Sequence, residues 1–219
     1  LFHAARRMLA SDLLWLRTID MQGPLNVAAM VVNQEEFMMT LHEQPALAHR
    51  LLEKITDFML GLVDYLRQGS DGRMCGNIWP YTFYPISRGL AFTEDIMPLV
   101  SAEVYRRFAV PYLRRIADRY GPMLIHCCGE WGRHAATLAE LPVAAMEFHY
   151  PFTKIEELEA FGPRTVFIPY IAIDKQERFS SNVEYFHWLL DHTQRRFWFA
   201  FADDTPEARG FIERVGEAG

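Results

Sequence analysis

Nowhere does this sequence run about 18 apolar residues together, the length a helix needs to cross a bilayer, so no membrane span is expected. Cysteine is scarce as well. Three cysteines, two of them adjacent, cannot make a disulfide framework, and a reducing cytoplasm is the expected compartment. Positive charge is in deficit: 22 Lys and Arg face 28 Asp and Glu, a formal net charge of -6. A general nucleic-acid binder would show a basic stripe, and none is present. The densest basic cluster, Arg106, Arg107, Arg114, Arg115 and Arg119, has helical spacing and acidic neighbours, which reads as a solvated helix face. GxGxxG, P-loop and GxSxG motifs are missing, so nucleotide-binding and serine-hydrolase readings lack support. The opening LFHAARRMLASDLLWL reads as an amphipathic helix without the basic start and cleavage site of a signal peptide. It has no initiator methionine, which points to a fragment of a longer chain.

What is present is ordinary for one globular domain spanning residues 1–219: half of the residues are hydrophobic and 23% are charged. Short β-type runs at 17–21, 73–77, 123–128, 143–149, 165–170 and 197–202 alternate with helical segments. Pro45 opens a long helix whose stripe is Leu47, Leu51, Ile55, Phe58, Leu62 and Leu66, with Gly69 just past its end. Ser101 caps a further helix that Pro111 should kink or break. Thr153 with Glu156 and Ser181 with Glu184 read as capping boxes, and Thr205-Pro206 opens the last helix. Strands separated by helices predict an α/β fold with parallel pairing. A doubly wound sheet and a β/α barrel both fit that order. Between strands two and three lies a long aromatic loop, NIWPYTFYPISRGLAFTED, of the kind that tends to be functional.

Polar residues recur at the carboxyl ends of these strands, where parallel α/β folds bind ligands. In LIHCCG, alternation puts Leu124, His126 and Cys128 on one face and Cys127 on the other. An imidazole and a thiolate two residues apart suit two of the three protein ligands that a catalytic zinc usually takes; the competing reading is a buried strand with a satisfied histidine and inert cysteines. AMEFHYP repeats the pattern with Glu147 and His149, a carboxylate and an imidazole suited to a third ligand, a general base or an orienting partner. Asp20 and Gln22 end the first strand, Asn77 and Trp79 the second, and Asp203 and Asp204 follow the sixth.

Three segments together carry a family resemblance: QGPLNVAAM (22–30), SAEVYRRFAVPYLRRI (101–116) and LIHCCG (124–129). The chain resembles the uroporphyrinogen decarboxylase (URO-D) superfamily, more particularly its methyltransferase-like members. That resemblance implies a (β/α)8 TIM-type barrel, of which this chain would hold strands three to eight, the first two being absent. It implies zinc on His126 and Cys128. The third ligand of such enzymes is usually a cysteine near the last strand; here that region reads WFAFADDTPEARG, so an oxygen donor such as Glu147 or Asp203 would take its place.

The expected function is therefore transfer of a methyl group between a corrinoid, brought by a carrier protein, and a thiol-type or small-molecule acceptor. Glu147 or His149 would complete the coordination or handle the proton. The loop from Trp79 to Asp95 would cover the ligand, with Gln22, Asn77, Trp79, Arg88, Asp95 and Tyr170 as substrate contacts. Two alternatives stay open: a metal-free decarboxylase whose Arg73, Arg88 and Arg133 meet the carboxylates of a tetrapyrrole, and a non-catalytic degenerate barrel.

Overall fold

A computed structural model describes residues 15–70, 72–78, 82–171, 178–201 and 204–217. Eight strands are found among them: β1 (Leu16–Arg17), β2 (Met74–Ile78), β3 (Thr82–Pro85), β4 (Ala91–Thr93), β5 (Met123–His126), β6 (Val143–Tyr150), β7 (Val166–Ile171) and β8 (Arg196–Phe197). The helices are α1 (Pro24–Val32), α2 (Gln34–Glu43), α3 (Pro45–Gly69), α4 (Ala102–Phe108), α5 (Val110–Tyr120), α6 (Ala135–Ala139), α7 (Asn182–His192) and α8 (Pro206–Glu217). Strands β4 to β8 form one parallel sheet in sequence order, as strands linked through helical crossovers should. A second sheet has the order β1-β2-β3 and is joined to the first by a parallel bridge from Gln22 to Thr93. The result is a mixed α/β fold built on a five-stranded parallel sheet.

The aromatic segment expected to be a loop over the ligand instead folds into the structure. β3 returns antiparallel beside β2, because the three residues 79–81 are far too few for a crossover. A short 3-10 turn (Ile86–Arg88) then delivers the chain to β4. Arg88 therefore stands at the amino-terminal end of β4, beside Pro122 at the start of β5, opposite the end that carries His126. Its expected substrate contact is corrected by that placement. Trp79 lies outside the described residues, as do Asp203 and the side chain of Asn77.

Several local expectations hold. Ser101 Oγ accepts from the Val104 N–H at 3.2 Å, Ser181 Oγ from Glu184 at 3.2 Å, and Thr205 Oγ1 from Ala208 at 3.1 Å. The helix containing Pro111 breaks at Ala109, and the proline falls in the first turn of α5 where its missing N–H is harmless. Arg106, Arg115 and Arg119 make exposed ion pairs with Glu140, Asp57 and Asp64. Two readings need correction. The cap expected at Thr153 lies one residue later, where the Lys154 N–H donates to Glu157 Oε2 at 2.9 Å. The buried ridge of α3 is Ala48, Leu52, Ile55, Met59 and Val63, while Phe58 is 70% exposed. Apolar residues cover a broad arc of this helix, so periodicity alone could not choose between adjacent ridges. No described helix is long and apolar enough to cross a membrane.

Gly89 joins the 3-10 turn to β4 at φ 131°, and a Cβ there would overlap the carbonyl of Pro122. Gly61, in the middle of α3, has open space around it. Gly89→Ala should lower unfolding free energy by about 3 kcal/mol, whereas Gly61→Ala should raise it by roughly 0.5–1 kcal/mol. Urea denaturation of the two variants checks this; equal effects would contradict the placement of β4.

Candidate metal centre

Side chains alternate along each strand, and one face of the parallel sheet turns from apolar to polar as it nears the carboxyl ends. Ala91, Leu124, Ala145 and Ile168 cluster there with Ile78 and Tyr84. One step further come Thr93, His126 and Glu147; at the rim stand Asp95, Cys128, His149 and Tyr170. The register sets these rows, pairing Thr93 with His126 and His149 with Tyr170. Cys127, Met146 and Phe148 project the other way into the main core, so Cys127 packs structurally while Cys128 is exposed.

Glu147, fully buried, organises the site. Its Oε1 lies 3.1 Å from His149 Nε2, and its Oε2 lies 2.8 Å from His126 Nδ1. The second contact is close but lacks the alignment of a hydrogen bond. Beyond His126, Asp95 Oδ1 sits 3.7 Å from Nε2 and 3.3 Å from Cys128 Sγ, and it accepts from the Cys128 N–H at 3.1 Å. The His126 and His149 rings meet edge to face at 5.8 Å, and Tyr170 stacks on His149 at 5.6 Å. Burial alone would lower the His126 pKa, but the adjoining Cys128, Glu147 and Asp95 reverse that and push it up to about 10. A group of donors that holds a proton so firmly on a nearly buried imidazole is one that seeks positive charge.

Two donor triads share His126: Asp95, His126 and Cys128, and the buried His126, Glu147 and His149. The first suits a metal better. Donors around a tetrahedral ion with ordinary zinc bond lengths lie about 3.4–3.6 Å apart, close to the 3.3 and 3.7 Å measured from Asp95 Oδ1. An ion at Nε2 also leaves Glu147 on Nδ1, the outer carboxylate partner that metal-bound histidines commonly keep. Asp95 and Cys128 are exposed, so a fourth position would be open.

The support behind this rim gave no sign in the sequence. Glu94, the residue just after β4, is fully buried with its side chain on Tyr105 of α4; its backbone N–H donates to the His126 carbonyl at 2.8 Å and its Oε2 accepts from the Tyr105 hydroxyl at 3.0 Å. Burial raises its pKa to about 8, opposed by Tyr105 and assisted by Asp95. Tyr105 in turn meets the ring of His134 at 5.1 Å, so His134 is buried behind the site and does not reach it. Burial and the nearby Arg133 lower the His134 pKa to about 4. The alternation within LAFTED was the available signal, hidden by reading residues 77–95 as one loop.

Next to Asp95 a cavity of about 480 Å³ opens between α1 and the segment after β4, lined by Gln22, Asn26, Met30, Ile96 and Leu99 among others. The structure thus brings His126, Cys128, Glu147, His149, Asp95 and Tyr170 together and sets Gln22 beside them across Thr93. It leaves Arg88 apart. Asp95, expected as a substrate contact, touches both Cys128 and His126, and Glu147 stands behind His126 where a third ligand was expected.

These features define an α/β protein whose parallel sheet carries a His/Cys/carboxylate cluster at its carboxyl edge. No protein-family model matches the chain, and no curated protein matches it. Among solved structures, the chain is similar in fold to a methyltransferase from Methanosarcina mazei, with a TM-score of 0.68 over 99% of this chain and 14% sequence identity. This chain spans 62% of that methyltransferase's length. A likeness at that identity establishes the fold.

The buried His134 makes stability depend on pH. Its folded pKa of about 4 lies below its ordinary 6.5, so below pH 6.5 the unfolded chain binds the proton first. The stability is full above that value and drains away as pH falls toward 4. Between pH 7 and pH 5 this group should cost about 2 kcal/mol. Denaturant melts of wild type and His134→Phe at both pH values should show that increment in the wild type alone; an identical pH response in the two proteins would contradict it.

Proposed function

We propose that the chain forms the catalytic edge of a URO-D-like, zinc-dependent methyltransferase that moves a methyl group between a corrinoid, delivered by a carrier protein, and a small thiol-type or similar acceptor. The observation that carries this reading is the position of Asp95 Oδ1, 3.3 Å from Cys128 Sγ and 3.7 Å from His126 Nε2. It supplies an oxygen donor within reach of both ligands, which the lack of a further cysteine near the last strand calls for. Asp95, His126 and Cys128 would hold the ion. Bound there, zinc supplies the charge that brings a thiol's pKa toward neutrality, so that its sulfur takes the methyl group while the corrinoid's cobalt keeps the bonding electron pair.

The chain's own residues do the rest. Glu147 aims His126 by standing at Nδ1, which leaves Nε2 for the ion. His149, held by the same carboxylate and stacked on Tyr170, is the base we assign to the proton a thiol gives up. Cys127 and Phe148 fill the sheet's other side, so the donors are set on rigid strands. Support for methyl transfer over tetrapyrrole decarboxylation lies in the arginines. Arg88 is at the far end of the sheet, and Arg133 is engaged with Glu130 at 2.6 Å. The described lining of the cavity includes no cation to meet several carboxylates.

Elemental analysis of protein purified without chelators should find about one zinc per chain, lost in a His126→Ala/Cys128→Ala variant. Glu147→Gln should weaken zinc binding roughly 10–100-fold, and Asp95→Ala by at least as much. Demethylation of methylcobalamin by a thiol, followed by the cobalamin spectrum, should disappear with the metal. A folded protein that binds no zinc, or an Asp95→Ala variant that binds it as tightly, would overturn the reading.

A further inference from the structure

The cavity beside Asp95 has a directional hydrogen-bond chain built into its wall. The Ile96 N–H donates to Asn26 Oδ1 at 2.9 Å, and Asn26 Nδ2 donates to Gln22 Oε1, also at 2.9 Å. The first bond fixes which way the Asn26 amide points, since a backbone N–H can only donate. Asn26 is buried, 6% exposed, so its orientation is not free to change with solvent. The second bond then fixes Gln22: its oxygen is taken, and its Nε2 group is left to donate. Among the described residues no acceptor meets that group, and Gln22 lines the cavity. Gln22 is half-buried and open to the cavity, so a ligand that fills the cavity without accepting from this amide would strip it of solvent and leave it unbonded, which makes it a specificity device.

Charge narrows the choice. Of the described residues lining the cavity, Asp95 alone is ionisable, and the metal reading engages it. The remainder is amide and apolar: Asn26, Asn33 and Gln34 beside Ala29, Met30, Ile96 and Leu99. Nothing there compensates a sulfonate, phosphate or carboxylate, and Glu147 behind the cluster opposes one. Length is set by the register. Gln22 pairs with Thr93, and Thr93 pairs with His126, so two strand spacings, about 10 Å in all, separate the backbones of Gln22 and His126, and both side chains reach into that gap. A ligand joining the metal position to Gln22 is a few bonds long.

We infer that the small substrate of this site is an uncharged molecule of about four to six heavy atoms, with a thiol or similar group at one end and a hydrogen-bond acceptor, such as a hydroxyl or ether oxygen, at the other, received by Gln22 Nε2. This inference rests on the methyltransferase reading for the role of the metal end. The oxygen end depends only on the Ile96–Asn26–Gln22 chain.

Cobalt(II)-substituted protein separates the two. Its visible d–d bands report the His/Cys/Asp site before any substrate is added, and a sulfur-to-cobalt absorption reports thiol binding. Four probes of like size would be titrated: 2-mercaptoethanol, ethanethiol, 2-mercaptoethanesulfonate and cysteamine. The wild type should bind 2-mercaptoethanol about five-fold or more tighter than ethanethiol and at least ten-fold tighter than the sulfonate. Gln22→Leu should erase the preference for the hydroxyl. Gln22→Glu, which keeps the bond from Asn26 but turns an acceptor outward, should shift preference toward cysteamine. If the sulfonate binds as tightly as 2-mercaptoethanol, or Gln22→Leu changes nothing, the inference is wrong. If cobalt does not bind, the metal reading fails by itself. Ligand-detected NMR with the same probes on metal-free protein then tests Gln22 directly: a hydroxyl preference lost in Gln22→Leu supports its role, and no preference overturns it.

Discussion

A single buried carboxylate governs this structure. Glu147 is out of contact with water and touches two imidazoles, His126 through one oxygen and His149 through the other. An isolated carboxylate in that position would be severely destabilising. It is tolerated because positive charge is supplied beside it, on His126 by protonation or, in the methyltransferase reading, by a cation at the far nitrogen of the same ring. The exposed Asp95 adds to the demand for such a charge, and Cys128 sets a sulfur beside it.

Strand register turns that local need into a site. Because β4, β5, β6 and β7 run parallel, and β5 pairs evenly with β6 after a register shift between Met123 and Leu124, residues of the same parity form rows, and the rows change from Leu124 and Ala145 through His126 and Glu147 to the rim. The opposite parity secures the frame. Glu94 ties β4 to β5 through its backbone and to α4 through Tyr105, while Met146 and Phe148 bind β6 to the helical layer. Gln22 enters through the bridge to Thr93, which also links the two sheets. Binding chemistry and sheet cohesion thus share the same few backbone contacts.

Much of this was legible in the sequence where one residue decides the outcome locally. Caps at Ser101, Ser181 and Thr205, the break at Pro111, and the alternation that separates Cys128 from Cys127 all depend on near neighbours. The pairing of Glu147 with His149 followed from two residues on one face. What stayed hidden depends on distant partners. Nothing near residue 95 announces that its carboxylate reaches Cys128, because that contact exists only once β4 lies beside β5. Arg88 read as a ligand contact because its loop was taken to lie over the site, whereas the β2–β3 hairpin carries it to the other end of the sheet. The ridge of α3 was misplaced for a related reason: several apolar arcs were equivalent until the neighbouring helices α1, α2 and α5 chose one.

The central claim is that Glu147 holds His126 so that Nε2, Cys128 Sγ and Asp95 face one cation. Anomalous diffraction at the zinc edge from crystals grown with zinc tests it directly. The account predicts one strong peak within about 2.0–2.3 Å of those three donors, with Glu147 still on Nδ1. A peak between His126, Glu147 and His149 instead, or none in a well-ordered site, would contradict it.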